Sequence, residues 1–202
     1  MARIRDWLHA ARPLAQANIA VPLLFGQAVA WASHRAFAWR WVSVLVLFGV
    51  LDQLYIVFAN DYADRESDGQ ERTPFSGGSG VLQSGAIEPL ALRRAAITSA
   101  IALVALSACF AADRPYLLVF AGAAIALLHA YSFPPLRLSF RGGGEWLQAL
   151  GVGALLPLVG FYTQSGRLDL PAWALAPAFL AGLAGNVMTA VPDVDTDTRT
   201  GK

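Results

Sequence analysis

Six apolar stretches, separated by polar or glycine- and proline-rich connections, organise this chain: residues 14–32, 41–59, 95–112, 115–132, 146–163 and 171–191. Each comes close to the run of about 20 apolar residues that crosses a hydrocarbon core as a helix. The third, fourth and sixth are the cleanest. The second carries Asp52 and Gln53, and the first carries Asn18 and Pro22. Residues 14–32 share the character of a signal-peptide core, but the run is long for one and five more follow it. The pattern predicts an all-α polytopic membrane protein with six transmembrane helices. The competing architecture is a soluble helical bundle.

Charge decides between them. Six spans put the N-terminus and the connections after spans two, four and six on one side. Arg3, Arg5, Arg12, Arg65, Arg72, Arg93, Arg94, Arg137, Arg141, Arg199 and Lys202 fall on that side, against Arg35, Arg40, Arg114 and Arg167 on the other. Basic residues mark the cytoplasmic face, so the N-terminus is expected inside. A soluble bundle gives no reason for that asymmetry. Trp7, Trp31, Trp39, Trp41, Trp146 and Trp173 all lie near span ends, as an interfacial belt requires.

Composition agrees: 56% of residues are hydrophobic and 14% charged, unlike a soluble domain. A net charge of +1 gives no argument for nucleic acid. The single cysteine, Cys109, excludes a disulfide framework and reads as a small buried hydrophobe. His9, His34 and His129 share no ligand spacing and read as interfacial or packing residues. No nucleophile elbow, P-loop or zinc-protease motif is present.

Two acidic clusters carry the chemistry. Asn60, Asp61, Asp64 and Asp68 end the second span, and Asp193, Asp195 and Asp197 follow the sixth. On a helix, Asn60, Asp64 and Asp68 form one stripe at i, i+4 and i+8, and Asp193 and Asp197 repeat the i, i+4 spacing. Carboxylates gathered at a membrane rim repel one another unless a cation or functional pathway holds them. Two such clusters facing each other form a magnesium-and-diphosphate site. Both fall on the basic side, together with the long connections 60–94 and 133–145. After the first cluster, Arg72 and the run Ser76, Gly77, Gly78, Ser79 and Gly80 offer a charged fork and close backbone approach to an anion; alone, this is a flexible loop. Arg137 and Arg141, after Pro134 and Pro135, are either diphosphate contacts or positive-inside anchors. Asp52, two turns before Asn60 on the same helix face, either opens a functional polar cavity or bonds a neighbouring helix.

In order along the whole chain, these features resemble the UbiA superfamily of intramembrane aromatic prenyltransferases. Asn60, Asp61, Asp64 and Asp68 are similar to its NDxxDxxxD motif, and Asp193 and Asp197 to its second, DxxxD motif. Arg12-Pro13, Tyr131-Ser132 and Pro134 to Arg137 resemble further landmarks. Within the superfamily, residues 73–82, 131–145 and 193–202 look most like 1,4-dihydroxy-2-naphthoate polyprenyltransferases of menaquinone synthesis. 4-Hydroxybenzoate enzymes usually have an Arg-Pro-rich segment where this chain has Ser76 to Gly80. Pro192 and Thr198 depart from the naphthoate pattern, which usually has arginine at both.

The resemblance implies a bundle of nine transmembrane helices, of which this chain, residues 1–202, holds six as a partial prenyltransferase domain. It implies transfer of a polyprenyl group from a diphosphate to an aromatic acceptor in the lipid bilayer. Mg2+ would be held by Asn60, Asp61, Asp64, Asp68, Asp193 and Asp197, with the five aspartates acting as catalytic residues. Arg12, Asn60, Arg72, Tyr131, Arg137, Arg141 and Lys202 would contact substrate. Nothing in the sequence specifies a protein partner. The alternatives are a 4-hydroxybenzoate or other aromatic prenyltransferase, or a membrane transport or interaction protein. Transport, however, expects acids spread through the membrane depth rather than gathered on one side.

Overall fold

The computed structural model describes residues 2–66 and 78–190, with side chains through residue 184. Among these residues all regular structure is helical: α1 (Ile4–Ala11), α2 (Ala17–His34), α3 (Trp39–Ala63), α4 (Pro89–Cys109), α5 (Tyr116–Ser132), α6 (Gly144–Leu150), α7 (Leu156–Ser165) and α8 (Ala172–Ala190). A π-helical turn, Gly151–Leu155, joins α6 to α7. Each of the six apolar stretches is therefore a helix or, for α6 to α7, one continuous rod.

By length and composition, four helical segments are long and apolar enough to cross a membrane: those spanning Ile4–His34, Trp39–Ala63, Pro89–Cys109 and Gly144–Ser165. α5, with 17 residues, is a shorter apolar helix. The outward surface is apolar as well. Val21, Leu24, Val46, Leu47, Ile97 and Ile101 are all exposed on the helix faces. Lipid tails are as apolar as leucine, so such residues need no protein cover in a bilayer. The protein is an integral membrane protein.

Alternation of the helices sorts their ends into two sets. At one end, α3 and α5 finish together, and the entry to α2 lies against them. Ser132 Oγ donates to Asn60 Oδ1 at 3.0 Å. At the other end, Gln164 of α7 donates to Gln27 of α2 at 2.9 Å and accepts from the Ala38 backbone N–H at 3.0 Å. There too Arg114 donates from Nε to the Thr163 carbonyl at 2.8 Å. Arg40 pairs with Asp113, and His34 lies 3.3 Å from Asp169. Trp41 belongs to this network rather than to an interfacial belt. It is only 7% exposed, with the guanidiniums of Arg114 and Arg40 at 4.4 and 4.6 Å from its ring centroid. Cation–π stacking buries the ring while keeping the charges near the rim. Trp31, Trp39, Trp146 and Trp173 do remain exposed.

Two glycines set the closest helix crossing. A Cβ on Gly26 would collide with the Pro157 carbonyl oxygen, and one on Gly160 with the Leu23 carbonyl oxygen. Small residues let membrane helices approach backbone to backbone, which is how α2 and α7 meet. Gly153 of the π turn plays the same part toward α8, where a Cβ would strike the backbone of Ala178 and Phe179. Cys109, expected buried, is exposed at the end of α4. Its apolar character suits a lipid-facing position equally well, so hydrophobicity alone did not fix its side.

Candidate active site

α3 is the element that positions the acids. Its 25 residues make a rod about 37 Å long, longer than the about 30 Å hydrocarbon core, so its last turn reaches the rim. The helix stops at Ala63, with Asp64 as the C-cap, its backbone N–H bonded to the Asn60 carbonyl at 2.9 Å. Of the expected stripe of Asn60, Asp64 and Asp68, Asn60 lies in the last turn of α3 and Asp64 caps it, while Asp68 lies outside the described residues. Asp61 and Asp64 are both withdrawn from solvent, Asp61 at 4% exposure and Asp64 at 2%.

Asp61 is held from two directions. The chain leaves α1 through Arg12 in the left-handed region (φ 45°), then turns through a 3-10 segment, Pro13–Gln16, whose first residue fits a helix start. That corner brings the Arg12 guanidinium onto Asp61, where Nη2 pairs with Oδ1. From the glycine-rich connection, Ser79 donates both its hydroxyl and its backbone N–H to Asp61 Oδ2, the latter at 3.2 Å. The sequence placed Ser79 in a run suited to approaching an anion but did not name it individually, because a glycine-flanked serine carries no signal of which carboxylate it will meet.

Behind this rim lies a cavity of about 300 Å3 between α2, α3, α5 and the α6–π–α7 rod. Arg12, Asn60 and Tyr131 line its mouth. Asp52 and Gln53 line it about 12 Å further along α3. Its walls are otherwise mostly apolar, with Ile19, Leu128 and Leu155 among them. Asn18 and Gln148 add polar groups that sequence reasoning did not assign to a site. The π turn contributes Gly151, Val152 and Leu155, and such turns recur at functional sites. Arg12 Nε is buried with no hydrogen-bond partner among the described residues, so the guanidinium keeps donor capacity beyond Asp61.

Other expected contacts are not gathered here. Arg137 stacks over Phe140, 3.6 Å from its ring centroid, and Arg141 is exposed; neither lines the cavity. Asp68, Arg72, Asp193, Asp197 and Lys202 lie outside the described residues. Among the described residues, no three His, Cys, Asp or Glu side chains form a metal-holding group. Asp61 and Asp64 still suit Mg2+, which takes oxygen donors and commonly only one or two carboxylates, the rest being water and phosphate. An ionised carboxylate offers about four lone-pair sites, so Asp61 retains acceptor capacity beside Arg12 and Ser79.

The UbiA prenyltransferase family model matches residues 19–202. The chain belongs to the UbiA prenyltransferase family. Its fold is that of a UbiA homolog from Archaeoglobus fulgidus. The structure bound to GPP and Mg2+ superposes with a TM-score of 0.74 at 19% identity, covering 97% of this chain and 66% of the archaeal one. The structure bound to DMAPP and Mg2+ gives 0.72 at 20% identity, with the same coverage. This chain thus spans just under two thirds of that protein's length. No curated protein matches the sequence.

Proposed function

We propose that this protein transfers a prenyl group from an allylic diphosphate to an aromatic acceptor within the membrane. One observation carries the reading: an arginine that lines a mainly apolar cavity and keeps an unspent donor, Arg12, is paired with the buried Asp61, three residues before the buried Asp64. Family membership and the GPP, DMAPP and Mg2+ found in the archaeal homolog support it. Arg12 binds diphosphate oxygens through its free guanidinium edge. Asp61 fixes Arg12, and Asp61 and Asp64, with Asn60, Asp68, Asp193 and Asp197, would hold Mg2+. Bound there, the ion would supply positive charge to the departing diphosphate. The apolar walls exclude water from the reacting carbon until the arene attacks it, with diphosphate leaving and a ring proton lost.

The acceptor class we assign is 1,4-dihydroxy-2-naphthoate, supported by the glycine-rich connection around Ser79 and the ending 193–202. The acid end faces the cytoplasm of a bacterial inner membrane, supported by the eleven basic residues on that side.

The test is turnover in reconstituted membranes with Mg2+, a polyprenyl diphosphate and both 1,4-dihydroxy-2-naphthoate and 4-hydroxybenzoate. Prenylated naphthoate should dominate. Exclusive product from 4-hydroxybenzoate would keep the reaction and overturn the acceptor. Asp64→Asn should reduce turnover by orders of magnitude at unchanged protein level, since a neutral amide is a poor replacement for an anionic ligand. Near-normal turnover would remove Asp64 from the mechanism.

A further inference from the structure

Asp52 and Gln53 are adjacent polar residues in the cavity wall, each with a buried polar atom left unpaired among the described residues. Both are buried, at 1% and 3% exposure, and both line the cavity wall. Asp52 Oδ1 and Gln53 Nε2 find no hydrogen-bond partner among the described residues. A buried polar atom is unfavourable to leave unmatched. Two of opposite hydrogen-bonding sense, side by side on α3, are an incomplete binding site. One accepts and the other donates.

The pair lies apart from the residues proposed to hold a diphosphate. It lies about two turns from Asn60, on the apolar side of the rim where Arg12 and Asp61 meet. A carboxylate there would repel a phosphate and favour a hydroxyl. We infer that Asp52 and Gln53 form a hydroxyarene-recognition pair: Asp52 accepts from a ring hydroxyl of the acceptor, and Gln53 Nε2 donates to a second oxygen on the same ligand. This rests on the prenyl-transfer reading for the identity of the ligand. It deepens that reading by naming residues that select the acceptor rather than the prenyl donor. A site built to bond a hydroxyl discriminates strongly against analogues lacking it, since its own polar groups are then left unpaired.

The experiment measures direct binding to the purified membrane protein, with turnover as a separate readout. The probes are 1,4-dihydroxy-2-naphthoate, 4-hydroxybenzoate and their O-methyl ethers, with affinity for GPP and Mg2+ measured in parallel. In the unmodified protein, methylating the recognised hydroxyl should weaken binding tenfold or more, a result that requires no variant to fold. Asp52→Leu and Gln53→Leu should each weaken the hydroxyarene at least tenfold and leave GPP affinity within twofold. Asp52→Asn, which keeps an accepting oxygen, should recover part of the loss. In Asp52→Leu the methyl ether and its parent should bind alike. Equal binding of ether and parent to the unmodified protein, unchanged hydroxyarene affinity in Asp52→Leu, or no hydroxyarene binding at all would each overturn the pair. Selective hydroxyarene binding without any prenyl transfer would leave the pair standing and remove the enzymatic reading. Transfer that is indifferent to Asp52 would do the reverse.

Discussion

Asp61 ties three separate parts of the chain together through one carboxylate. Its carboxylate joins Arg12 before the first span, α3 of the second, and Ser79 of the following connection. Hydrogen bonds to a charged group are each worth about 1.5–3 kcal/mol net, and a buried acceptor stripped of donors costs more. Ser79→Ala should therefore lower the thermal stability of the detergent-solubilised protein by about 1–2 kcal/mol, while Ser79→Thr, keeping the hydroxyl, should recover part of it. Arg12→Ala should weaken diphosphate binding tenfold or more and also destabilise the fold by exposing Asp61 to an unpaired burial. Adding Asp61→Asn to Arg12→Ala should restore stability but not diphosphate affinity. Strictly additive losses in the melting temperature would mean the two side chains are not coupled.

At the scale of elements, the cavity depends on how closely α2 and α7 are clamped. Gly26 and Gly160 meet the opposing backbone, which cannot move aside as a side chain can. Gly26→Ala or Gly160→Ala should therefore destabilise by about 1–3 kcal/mol through overpacking. Gly122 of α5 is the internal control, because a Cβ there meets nothing within 4 Å. Gly122→Ala should be neutral or stabilising by about 0.5–1 kcal/mol, the usual gain for alanine in a helix. Thermal melts of the three variants in one detergent would separate the outcomes. Equal effects at Gly26 and Gly122 would show that the crossing has slack. The clamp also bears on the cavity, since α2 and the α6–π–α7 rod both supply lining residues.

For the whole molecule, the distribution of charge and of helix ends makes one testable statement about orientation. Glu88, at the start of α4, and Arg167, after α7, are both exposed and belong to opposite ends of the bundle. Single cysteines at these positions, in a Cys109→Ala background, should label from opposite sides of an intact membrane, with position 88 cytoplasmic. Labelling of both from one side would break the alternation. Labelling with position 167 cytoplasmic would keep the fold and invert its orientation.

The sequence by itself determined the all-helical membrane fold, the order of its apolar helices and the family. These properties are local or additive: a run of apolar residues is a span wherever it stands. It also placed Asp52 and Gln53 inside a span. α1 was missed because eight residues are too few for a periodic signal, although Arg3 and Asp6 do close its first turn, the Arg3 N–H donating to Asp6 Oδ2 at 2.8 Å. Only the tertiary structure decided that α3 ends at Ala63, that Ser79 and Arg12 converge on Asp61, that Trp41 is buried beneath two arginines, and that Arg137 stacks on Phe140 away from the cavity. It also decided that Asp52 and Gln53 face a cavity instead of bonding a neighbouring helix. Each of those outcomes depends on which surfaces meet across dozens of residues. Helix periodicity fixes only which residues share a face; the backbone approach at Gly26 and Gly160 sets what that face meets.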